Sequence, residues 1–102
     1  MGMSLGVVRF GEGGERAWAW DIYEGDLVGD WEFFSHLLDT DNYVEKITHH
    51  GGLLDPQESV IRPKDFDEPR RWLRESGNAN AETFTDVLNH LERDPALWLD
   101  YS

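Results

Sequence analysis

Apolar and polar positions alternate over two short stretches near the start of the chain, and then the period changes. Residues 4–10, SLGVVRF, read as a strand, and the glycines of GEGGE at 11–15 supply a turn. Along RAWAWDIY at 16–23 every second residue shares a face. This predicts a β-hairpin with Trp18, Trp20 and Ile22 in the core and Ala17, Ala19, Asp21 and Tyr23 turned outward. Residues 24–30 read as a loop. From Asp30 to Asp39 the period becomes helical: Trp31, Phe33, Phe34, Leu37 and Leu38 fill one side, and Glu32, Ser35, His36 and Asp39 the other. Asp30 suits the N-cap, and Trp31 and Phe34 are assigned to the core.

A second helix is predicted from about Thr40 to His50, with Tyr43, Val44 and Ile47 inward and Gly51-Gly52 as its stop. SVIR at 59–62, bracketed by Pro56 and Pro63, reads as a short strand. A helix then starts near Asp65 to Pro69, with Asp67 or Glu68 as cap, Phe66, Trp72 and Leu73 inward, and Gly77 as stop. The clearest helix runs from about Asn80 to Asp94, where Phe84, Val87, Leu88 and Leu91 recur at helical spacing. Asp94-Pro95 ends it. A last turn carrying Leu97, Trp98 and Leu99 is expected to pack back into the core. The elements define an α+β fold: an N-terminal antiparallel β-hairpin or small sheet packed against three or four helices. At 102 residues the expectation is one domain over 1–102.

Composition narrows the function. There is no cysteine, so disulfides, thiolate metal sites and cysteine nucleophiles are excluded, and a cytoplasmic location is expected. No apolar run has the roughly 18 residues of a membrane span, and no signal-peptide pattern opens the chain. The net charge of −12 repels nucleic-acid phosphates and anionic membranes, so neither is an expected partner. That charge is concentrated. The 29 residues from Ala17 to Glu45 hold eight carboxylates and no Lys or Arg. The eight are Asp21, Glu24, Asp26, Asp30, Glu32, Asp39, Asp41 and Glu45, interleaved with aromatic residues. A solubilising surface ordinarily mixes signs. One sign alone draws in basic surfaces and speeds their docking. With Tyr23, these eight acids form the expected partner-binding set, and Asp21 and Tyr23 lead it.

Other chemistry is sparse. His49-His50 with Asp55 suggests a metal site, but adjacent helical residues point about 100° apart. No H-E-x-x-H spacing exists, and no cofactor or metal is expected. Carboxylate pairs such as Asp39/Asp41 or Asp65/Asp67 arise by number alone among 21 acids. No serine sits in a nucleophile elbow. In its size, lack of cysteine, acidic Ala17–Glu45 window, Arg62-Pro-Lys-Asp-Phe66 segment and Phe84–Trp98 ending, the chain resembles the small acidic immunity proteins and antitoxins of bacteria. The resemblance implies a non-enzymatic inhibitor that binds a basic toxin catalytic domain and covers its active site. The alternatives are a nucleic-acid mimic that blocks a DNA- or RNA-binding protein, and a small enzyme or metal protein that uses the histidines.

Overall fold

A computed structural model describes residues 3–48 and 58–102. The chain order is β1 (Leu5–Phe10), β2 (Arg16–Trp18), α1 (Asp30–Asp39), β3 (Val44–Thr48), β4 (Glu58–Arg62), α2 (Asp67–Ser76), α3 (Ala81–Arg93) and β5 (Leu97–Tyr101). The strands form one antiparallel sheet in the order β2-β1-β5-β4-β3. Leu5 and Val7 of β1, Leu97 and Leu99 of β5 and Ile61 of β4 point to one face of it. There they meet Phe33, Phe34 and Leu37 of α1, Leu73 of α2, and Phe84, Val87, Leu88 and Leu91 of α3 in a single buried cluster. The α+β fold is therefore as expected, with the sheet larger than a hairpin and three helices over one of its faces.

None of the described helices lies on the other face, yet parts of it are closed. Val8 is fully buried because its cross-strand neighbours are Trp18 and Trp98. The Trp18 ring lies so close to Gly6 that a Cβ there would come 2.3 Å from the ring. Lys46 covers the rings of Phe10 and Trp98 at 4.2 and 5.9 Å. Arg16 lies 5.2 Å over Trp18 and reaches the buried carboxylate of Asp100 at 3.4 Å.

Several expectations change. Trp18 and Trp20 are 42% and 57% exposed, whereas Ala19 and Tyr23 are buried. The alternation stops early because β2 is only three residues long. Ala19 then closes a turn, its carbonyl accepting from Ile22 and Tyr23 N–H, and Tyr23 swings inward against Phe84. Thr40 ends α1, and Val44–Thr48 is the edge strand β3, not a helix. β-branched Val44, Ile47 and Thr48 suit a pleated strand better than a helix. Val44 and Ile47 are exposed there, while Tyr43 packs on the core. His49, His50, Gly51, Gly52 and Asp55 lie outside the described residues. Leu97–Tyr101 is a strand and not a turn. It sits at the centre of the sheet, which accounts for its apolar residues.

Helix boundaries follow backbone demands. Gly29 (φ 90°) leads into α1, and Gly77 (φ 72°) ends α2 as expected, both in the left-handed region that glycine enters without a Cβ clash. Asp67 and Glu68 lie inside α2, which begins after Phe66, and the Asp65 carboxylate accepts the Asp67 N–H at 2.9 Å. Asp30 is likewise not the cap of α1. Its carboxylate accepts the Leu5 N–H at 3.0 Å. β2 pairs with β1 only at Val8–Phe10, so on the side away from β5 Leu5 has no strand neighbour, and Asp30 takes its place there. Asp30→Ala leaves that N–H without an acceptor and is expected to cost about 1–3 kcal/mol in urea unfolding. Asp30→Asn, which keeps a carbonyl oxygen, should lose less.

Candidate protein-docking face

The acidic window folds into two adjoining pieces. The segment 19–29 runs from the end of β2 to α1. It is tied down by Asn80 Nδ2 donating to the Val28 carbonyl (2.7 Å) and Asn78 Nδ2 donating to the Gly29 carbonyl (3.2 Å). Asp21, Glu24 and Asp26 are exposed on it. Asp26 holds a left-handed φ of 58°, which Asp tolerates better than most side chains. The second piece is α1. Glu32 and Asp39 stand two turns apart on its outer side, about 10 Å along the axis. Asp41 follows in the turn after the helix. Glu45 lies across the sheet edge on β3, where it accepts from Ser59 Oγ at 3.0 Å.

Ion pairing separates this face from the rest of the molecule. Asp21 meets Arg9 at 3.5 Å, a long and exposed contact. Among the described residues, Glu24, Asp26, Glu32, Asp39 and Asp41 have no cation partner. Four of the basic residues, Arg16, Lys46, Arg62 and Arg70, make contacts away from these acids. Arg62 donates to the carbonyls of Leu91 and Leu97 at 2.7 Å each, at the C-terminal end of α3. Arg70 links α2 to α3 through Asn89 and Glu92. Arg16 and Lys46 lie on the helix-free face of the sheet, as their registers with Phe10 and Val60 require. The helix side thus carries acids without an ion-pair partner among the described residues, on the same side as the exposed Arg71 and Arg74 of α2 and Arg93 of α3.

An apolar centre accompanies these acids. Trp31, assigned to the core by periodicity, is 51% exposed, whereas Phe34 is buried. The Trp31 ring packs on Phe34 and Tyr101, with centroids 6.3 and 4.9 Å away. With Met3 and Tyr101 it lines an open cavity of about 430 Å³. Asp30 and Glu32 flank Trp31 in sequence. An exposed aromatic group on an acidic surface is a feature shared with protein-binding sites. The sequence signal for Trp31 was its place at the edge of the apolar arc, next to two acids.

Tyr23, expected to lead the contact set from an outward face, has its side chain turned into the core and only 3% exposed. Its hydroxyl accepts the Leu27 N–H at 3.4 Å. Burial pushes the phenol above its ordinary value of 10.0. The Leu27 hydrogen bond opposes that shift, and Asp30 and Asp26 add to it. A raised value means the fold favours the neutral phenol. That contribution is whole below pH 10 and is lost as pH rises through the folded-state value. The melting temperature should therefore fall above pH 10, and Tyr23→Phe should shrink the fall. Tyr101, shifted the same way by burial, should keep part of it.

Among the described residues no group of three or more His, Asp or Glu could hold an ion. His36, expected on a polar face, is largely covered. Its ring stacks on Trp72 at 4.2 Å, and Nε2 lies 2.6 Å from Glu68 Oε1, pinning α1 to α2. His90 stands 3.5 Å from Asp86 on α3. No helix among the described residues is long and apolar enough to cross a membrane. The architecture and surface define an α+β domain with an acidic, aromatic-centred face on its helix side. Compared with known proteins, the chain matches no family model, no curated protein and no solved structure.

Proposed function

We propose that this protein is a non-enzymatic inhibitor that docks a basic protein through segment 19–29 and the outer side of α1, and covers that partner's active site. A bacterial, cytoplasmic immunity protein that neutralises a toxin is the assignment that fits best, in keeping with the sequence resemblance. One observation carries the reading: Glu24, Asp26, Glu32, Asp39 and Asp41 are exposed and have no cation partner among the described residues. Charge left unpaired in the folded protein is available to a partner. Its field steers a basic surface into contact. Trp31 with Met3 and Tyr101 then supplies the dry centre that slows release. Catalytic domains that act on nucleic acids or nucleotides are basic where substrate binds, so an acidic inhibitor both attracts them and competes with their anionic substrate.

The test starts with the immobilised protein in lysate of the source cells, washed at low and high salt. A single basic protein is expected at stoichiometric level. It should be lost from a Trp31→Ala/Glu32→Lys variant, and its purified activity should fall to zero as the inhibitor reaches equimolar amounts. A retained protein whose activity is untouched would overturn the inhibitor reading. Retention of nothing at either salt would overturn the docking function itself.

A further inference from the structure

We infer that the cavity framed by residues 20–27 receives an arginine side chain of the docking partner, an inference that rests on the docking function proposed above. The cavity measures about 320 Å³ and opens between the loop and Thr83 of α3. That volume lies within the roughly 300–1,000 Å³ typical of small-ligand sites. Its walls are apolar and aromatic, from Trp20, Ile22, Tyr23 and Leu27, and Asp21 and Glu24 supply its carboxylates. Trp20 is 57% exposed, and its indole stacks on Trp18 at 5.5 Å and 24° while also lining the cavity.

An aromatic wall beside two carboxylates matches one side chain better than any other. A guanidinium is planar, stacks on an indole face, and presents its N–H groups as a fork that a carboxylate accepts in pairs. A lysine ammonium is more strongly hydrated and has no plane to stack. The three-carbon stem of arginine would lie against Ile22 and Leu27, and its charge would meet acids that need a cation. Glu24 has none among the described residues. Asp21 already attracts a guanidinium, that of Arg9, though only at 3.5 Å. Arg9 also lies 3.7 Å from Asp94, so it keeps a partner when Asp21 turns to an incoming arginine.

The cavity can be tested without the partner. The ¹⁵N-labelled protein is titrated at low salt with Nα-acetyl-arginine methylamide and, in parallel, with the lysine analogue, and the Trp20 indole N–H is followed. A saturable shift with arginine is expected, with lysine clearly weaker. Asp21→Asn/Glu24→Gln should weaken the arginine response by about tenfold or more, since charge-assisted hydrogen bonds are lost. Arg9→Gln, which removes the internal competitor, should strengthen it. An otherwise unchanged spectrum shows that each variant is folded. No saturable shift, or an equal one in the double variant, overturns the inference. So does a captured partner that associates with Asp21→Asn/Glu24→Gln as fast and as tightly as with the wild type. Failure of the lysate capture, with the arginine shift intact, instead removes the docking function.

Discussion

Phe84→Ala is expected to lower the free energy of unfolding by about 3–5 kcal/mol, which for a domain of ordinary stability, about 5–15 kcal/mol in all, leaves little or nothing. Phe84 is completely buried on α3. Its ring stacks on Phe33 of α1 at 5.1 Å and 9°, and meets Tyr23 at 5.9 Å. The truncation therefore removes more than one side chain's transfer energy. It opens a void where α1, α3 and the 19–29 segment converge, and two other rings lose their packing partner. A shift of the urea midpoint at unchanged slope is the measurement that reads it. A loss below about 1 kcal/mol would mean that the three elements do not share one core there.

The second large effect concerns the docking face. Glu32→Lys/Asp39→Lys reverses two exposed charges on one side of α1 and moves the net charge by four units from −12. Association with the captured basic partner is expected to slow by on the order of tenfold or more at low ionic strength. The two rates should converge near 1 M salt, where the screening length is about 3 Å. Stopped-flow mixing across a salt series separates these outcomes. A wild-type on-rate at every salt concentration would sink the electrostatic mechanism. These positions suit the test because their effects on helix stability oppose each other: a lysine is unfavourable in the first turn and favourable in the last. Asp30 is less suitable, since it also holds the Leu5 N–H. Asp26 is less suitable because a lysine at its left-handed φ adds strain.

The helices α2 and α3 were legible because their apolar spacing is regular and their stops are explicit. Gly77 takes the left-handed conformation that ends α2, and Phe84, Val87, Leu88 and Leu91 are all buried where periodicity put them. Sequence misled where a local pattern competes with a partner distant along the chain. Val44 to Thr48 carries helix-like spacing, but its ladder partner β4 makes it a strand. The last apolar stretch reads as a turn alone, yet it pairs with β1, some 90 residues earlier, as register Leu5↔Tyr101 shows. Tyr23 and Trp20 exchanged places because a strand of three residues cannot sustain an alternation that the sequence continues beyond it.

The site divides in the same way. The sequence by itself determined the sign and clustering of the charge, the absence of cysteine chemistry, the α+β class and most of the core on α2 and α3, because each follows from residue type or from short-range period. Only the tertiary structure decided that Trp31 faces outward beside Glu32, that Tyr23 turns inward, and that Trp20, Asp21, Glu24 and Thr83 line one cavity. It also decided that Glu24, Glu32 and Asp39 have no cation partner among the described residues. Those outcomes depend on contacts between α1, α3, the 19–29 segment and the sheet, and a contact between residues far apart along a chain leaves no local pattern to read.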